Sequence, residues 1–96
     1  MMSDKELTGT LVLIDRYKGM MAKHYIIPVQ SEGGIGIQHA GWMLEELEKK
    51  IHSGDPAFDD GKCGRWVGFI QHALAVAGFT TVKEERDFSR PYFRKD

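Results

Sequence analysis

Apolar positions recur at three- and four-residue spacing in three blocks of the chain, the period of an amphipathic helix rather than of a strand. Between Thr10 and Tyr25, the residues Leu13, Ile14, Tyr17, Met20 and Met21 share one stripe. Asp15, Arg16, Lys18 and Lys23 fall outside it, which predicts a helix. Gly19 weakens that helix by about 1 kcal/mol against alanine. Thr10-Leu11-Val12-Leu13-Ile14 also reads as the start of a strand, so residues 10–14 stay open between the two. His24-Tyr25-Ile26-Ile27-Pro28-Val29 reads as extended, because the residue before a proline avoids the α region.

The second block gives the clearest helix, Ile37 to His52. Ile37, Ala40, Met43, Leu44, Leu47 and Ile51 line one face. Glu45–Lys49 and Glu46–Lys50 are i,i+4 pairs in the favourable orientation, and Gly54 stands where a glycine ends a helix.

The third block, Gly61 to Ala77, is apolar nearly all round. Cys63, Trp66, Val67, Ile70, Ala73, Leu74 and Ala77 form its main stripe, while Phe69 and Val76 lie elsewhere on the cylinder. Such a helix is expected at the centre of the fold, with Trp66 and Ile70 fully buried. Gly64, Gly68 and Ala75 make a small-residue side on which a neighbouring backbone is expected to pack closely. Asp59 or Asp60 can cap the start of this helix, and Gly78 can end it.

A fourth helix is expected from Thr80 or Thr81, because Thr81-Val82-Lys83-Glu84 has the capping-box spacing. It should run to about Phe88 and stop in the aromatic tail Ser89-Arg90-Pro91-Tyr92-Phe93. Short loops join the second, third and fourth of these blocks. The fold class expected is therefore all-α, a small bundle of three to four helices with a short extended segment near residues 24–30.

Length and composition agree with a single domain over residues 1–96: 42% of the chain is hydrophobic and 10% aromatic. Thirteen basic residues face fourteen acidic ones, so the net charge of −1 exerts no strong pull toward nucleic acid or a membrane surface. The charges are unevenly spread, with an acidic middle over residues 32–60 and a mildly basic C-terminal third. One cysteine, Cys63, allows no intrachain disulfide. The start of the chain has no apolar core of signal-peptide length, and no apolar run approaches the roughly 20 residues of a membrane helix. A cytoplasmic location and no membrane partner are expected.

Candidate chemistry is sparse. His24, His39, His52 and His72 sit in four different segments, without the spacing of a metal site, so no metal or other cofactor is expected. Cys63 lies near a helix start but also on the apolar stripe, which reads as a core thiol. Gly61, Lys62 and Arg65 open the third helix, where free N–H groups and two cations could hold an anion; Asp59 and Asp60 oppose it. The last two helices could form a helix-turn-helix, yet the would-be reading helix carries Glu84, Glu85 and Asp87 against Lys83 and Arg86, which suits a DNA groove badly. Trp42 falls on the side of its helix away from the stripe, so either the loop carrying Pro56 and Phe58 folds over it or it belongs to an interface. Arg65, Phe69, His72, Tyr92 and Phe93 are further interface candidates.

The stretch Arg65-Trp66-Val67-Gly68-Phe69-Ile70-Gln71, followed by Leu74, Gly78, Glu84, Arg86-Asp87 and Ser89-Arg90-Pro91, resembles small accessory proteins of tailed bacteriophages and prophages. These show an R-W-[LV]-G-[FY]-[IV]-Q core followed by a short charged helix and an R-P ending. The resemblance implies a phage accessory role and carries over no catalytic or binding residue. The expected function is thus a non-enzymatic protein, with no catalytic residues, that binds a host protein or itself as a homo-oligomer. The alternatives are a binder of a small anionic ligand such as a nucleotide, at Gly61, Lys62 and Arg65, and a DNA-binding regulator.

Overall fold

The computed structural model describes residues 4–30, 36–54, 58 and 60–93, the side chains of Asp60 and Phe93 excepted. Among the described residues there are four helices and no strand: α1 Asp4–Lys23, α2 Ile37–Ser53, α3 Asp60–Val76 and α4 Val82–Phe93. The all-α bundle read from the hydrophobic spacing is the observed fold.

Side-chain contacts fix how the helices run. Lys18 of α1 reaches Glu48 of α2, while Met21, further along α1, meets Gly41, earlier on α2; the two helices are therefore antiparallel. His39 meets Phe69 and Trp42 meets Trp66, so α2 and α3 are antiparallel too. Thr10 pairs with Cys63 and Tyr17 with Gln71, which sets α1 and α3 parallel across the core. Gly9 meets Tyr92 and Arg16 meets Glu85, which turns α4 back along α1. The result is an up-down-up-down bundle.

The core comes from three helices and one loop residue. Leu13, Ile14, Tyr17 and Met21 of α1 pack with Ala40, Met43, Leu44 and Leu47 of α2. Cys63, Val67, Ile70, Ala73 and Leu74 of α3 complete it, with Phe58. Residues 10–14 are thus helical. Asp4 and Glu6 in the first turn of α1 favour an early start, since negative charge is stabilising at a helix N-terminus. The Thr10 hydroxyl donates back to the Glu6 carbonyl at 2.8 Å, so a residue of high strand propensity is held within the helix.

Three expectations change. Ile70 is fully buried, but Trp66 is only half-buried. The line Cys63–Val67–Ile70–Leu74 faces the centre, and the indole lies on its flank. Gly64 and Gly68 are exposed, and a Cβ at either would meet nothing within 4 Å. The close approaches lie elsewhere. A Cβ on Gly9 would collide with Cβ of Tyr92, and one on Gly41 would lie 3.2 Å from Sδ of Met21 and 3.4 Å from Cα of Pro28. Finally, α4 does not stop near Phe88 but continues through Pro91 to Phe93. Pro91 stands in the last turn, so its missing N–H removes one helix bond only, and Tyr92 gains its seat against Gly9.

Among the described residues, no apolar side chain of α4 belongs to the buried core, and the buried one is Glu85, 1% exposed. Arg16 forks onto that carboxylate, Nε donating at 3.0 Å to one oxygen and Nη2 at 3.1 Å to the other. The Thr80 hydroxyl donates to Glu85 at 2.5 Å. Gln71 donates to the Tyr17 hydroxyl at 2.8 Å, leaving the phenol proton for Glu85. Burial pushes the Tyr17 hydroxyl far above its usual range, so it stays a donor. Burial also pushes the Glu85 carboxyl up, but hydrogen bonds from Arg16, Thr80 and Tyr17 outweigh it and leave the carboxyl below its ordinary value. The Arg16 guanidinium covers the Phe88 ring at 4.1 Å.

The two kinds of glycine should respond oppositely to alanine. Gly68→Ala adds helix propensity in open space and should stabilise the protein by about 1 kcal/mol. Gly9→Ala forces Tyr92 away and should destabilise it by about 1–3 kcal/mol. Thermal or urea unfolding of both variants checks this, and a stabilising Gly9→Ala would refute the α1–α4 packing.

Candidate functional site

The surface of interest begins where α1 ends. The Tyr25 N–H donates to the Ala22 carbonyl at 3.2 Å and the Ile26 N–H to the Met21 carbonyl at 2.9 Å. These two bonds form a Schellman motif, which needs a left-handed residue at its bend. Tyr25 fills that place with φ of 57°, the sole non-glycine residue with positive φ among those described. The chain then runs along the start of α2. Ile26 packs against the core, and the Val29 N–H donates to the Gln38 carbonyl at 3.0 Å. The extended reading of residues 24–30 changes: His24 and Tyr25 close the end of α1, with Tyr25 left-handed, and residues 26–30 follow as irregular chain pinned to α2.

Pinning this segment turns its other side chains outward. Tyr25 is 90% exposed, Ile27 66% and Val29 47%. Between the segment and the first turn of α2 lies a groove of about 610 Å³, lined by Ile26, Ile27, Val29, Ile37, Gln38 and His39 among others. His39 carries this surface to the α2–α3 seam. Its ring stacks on Trp42 at 5.3 Å and meets the edge of Phe69 at 6.3 Å. Trp42 lies 6.4 Å from Trp66, whose ring meets Phe58 edge to face at 4.9 Å.

The residues singled out from sequence separate into two groups. Trp42 and Phe69 are half-buried and meet at His39 on the seam. Phe58 does fold in, against Trp66; Pro56 lies outside the described residues. Arg65 and His72 are exposed on the outer side of α3. Tyr92 is half-buried between Gly9 and Phe88 and serves the α1–α4 packing; the Phe93 side chain lies outside the described residues. Of the anion candidates, Gly61 and Arg65 are exposed, whereas the Lys62 ammonium lies 4.9 Å from the centre of the Phe58 ring.

Sequence reasoning passed over Tyr25, Ile27 and Val29. The available signal was an apolar run beside a proline, in no helical stripe and with no polar alternation to place it on a sheet.

Chemically, this surface offers ring faces and aliphatic side chains. Among the described residues, no group of three or more His, Cys, Asp or Glu side chains could hold a metal, and no buried side-chain nitrogen or oxygen lacks a hydrogen-bond partner. No helix among them is long and apolar enough to cross a membrane. Fold and surface together define a small all-α bundle with exposed apolar side chains beside a groove. No protein-family model, curated protein or solved structure matches the chain.

A left-handed backbone costs a side chain with a Cβ roughly 1–2 kcal/mol. Tyr25→Gly removes that cost and loses almost no packing, since the ring is in solvent; greater freedom of the unfolded chain offsets part of the gain. The variant should therefore be more stable by about 0.5–1 kcal/mol. Denaturant unfolding measures this, and a less stable variant would show that the ring supports the fold.

Proposed function

We propose that the protein is a non-enzymatic binding module that works by protein contact, through the Tyr25–Val29 segment and the groove beside it. The observation that carries this reading is the run of Tyr25, Ile27 and Val29, 90%, 66% and 47% exposed, on a backbone tied to α2. Isolated exposed apolar residues are ordinary on a protein surface, but a contiguous set beside a groove marks a contact region. The bent, exposed Tyr25 strengthens the reading, because a residue held in a costly conformation without packing in return points to a role outside the fold.

Two occupants fit this chemistry: a host protein, or a second copy of the chain. The resemblance of residues 65–91 to phage and prophage accessory proteins supports a host protein, met in the bacterial cytoplasm.

The test is the double substitution Ile27→Glu with Val29→Glu. Both side chains are exposed, so the variant should melt close to the parent. It should lose whatever association the parent shows, followed by sedimentation for self-association and by capture from bacterial lysate for a host partner. Partner capture that survives the substitution would place the contact elsewhere, and a parent that associates with nothing in either assay would refute the reading.

A further inference from the structure

Among the described residues, the core side chains come from α1, α2, α3 and Phe58, and none comes from α4. The fourth helix rests chiefly on α1, and what it buries is a carboxylate. Its apolar contacts, Phe88 under the Arg16 guanidinium and Tyr92 against Gly9, are half-buried. Removing α4 would take no described side chain out of the apolar core and would leave α1 its packing on α2. It would strip Arg16 and Tyr17 of their shared acceptor.

We propose that α4 is a latch, held by the Glu85 carboxylate and released as a unit while α1, α2 and α3 stay folded. Local opening of this kind follows the elements with the least buried apolar contact. Release uncovers the side of α1 that carries Gly9, Arg16 and Tyr17, a surface separate from the Tyr25–Val29 segment. The Gly78 bend, with φ of 84°, lies between α3 and α4 and marks the boundary of the moving part.

The latch is acid-sensitive, and the sign follows from its partners. Arg16 and Tyr17 of α1 face Glu85; Glu84, on the same helix, lies 3.3 Å from the shared Thr80 hydroxyl; from α3 the network receives Gln71, which does not titrate. The docked carboxyl lies below its ordinary value of 4.5. Docking is therefore strongest above that value, where Glu85 is ionised in both states. It weakens as the pH falls from there through the docked value, because the released helix takes up the proton first.

The full chain carries its own reporters. Trp42 and Trp66 both lie on the α2–α3 seam, so indole fluorescence follows α2 and α3, amide exchange at residues 13–21 follows α1, and amide exchange at residues 86–90 and at Tyr92 follows α4. Below pH 4.5, opening of α4, corrected for intrinsic exchange, should rise by up to about tenfold per pH unit while the tryptophan signal holds. Glu85→Gln should flatten this dependence. Should that variant fail to fold, Thr80→Val keeps the Arg16 pair and should move the opening to higher pH. Loss of α4 protection together with the tryptophan signal or with the protection of α1, or an unchanged pH dependence in the Glu85 variant, would overturn the proposal.

Discussion

The position of the fourth helix depends on one buried carboxylate. Taking an ionised glutamate out of water costs several kcal/mol, and the cost is offset only where its oxygens are well supplied with donors. At Glu85 the donors come from Arg16, Thr80 and Tyr17, so the helix has few seats that would serve. The second contact narrows the choice further. Gly9 and Arg16 lie two turns apart on α1, and Glu85 and Tyr92 lie two turns apart on α4. In an antiparallel pair both contacts close together in one register, and a slip by a turn would leave a buried charge facing apolar surface. Generic hydrophobic attraction would tolerate such a slip; the carboxylate does not.

How much of this was legible depends on the interaction concerned. The helices α2 and α3 were readable almost to the residue, because periodic burial writes itself into spacing and the glycines at 54 and 78 punctuate it. The end of α4 was not, because its continuation past Pro91 depends on Tyr92 finding Gly9, a contact between residues far apart in sequence. In the sequence Glu85 is one of three acids of the fourth helix, beside Glu84 and Asp87. Nothing local distinguishes it from Glu84, which is exposed; the difference is that Arg16 waits opposite one of them. Of the candidate site, Trp42 and Phe69 were found as surplus aromatics, whereas Tyr25, Ile27 and Val29 were not. An unpatterned apolar run gives no phase from which to derive its exposure.

Glycine illustrates the same limit. A small residue in a helix reads identically whether it admits a neighbour or faces open space, since sequence shows only the missing side chain. Gly9 and Gly41 admit neighbours; Gly64 and Gly68 do not. The stripe that seemed built for close packing is on the outside of α3, and the helix bears the propensity cost of both glycines without an intramolecular return.

The ends of the helices bear most directly on the proposed contact surface. α2 ends at Gly54 and α3 at Gly78, each in the left-handed region, where glycine has no Cβ to strain. α1 ends with the same left-handed bend, yet carries Tyr25 there. The three positions face the same backbone requirement, and at two of them the residue present is the one that meets it with least strain. At the third the chain keeps a large aromatic ring, 90% exposed, beside Ile27 and Val29. Neither the bend nor the core accounts for that ring, since the bend favours glycine and the ring packs against almost nothing. What remains is the surface itself, where, on the reading proposed above, an exposed tyrosine would supply contact area at low entropic cost to a partner.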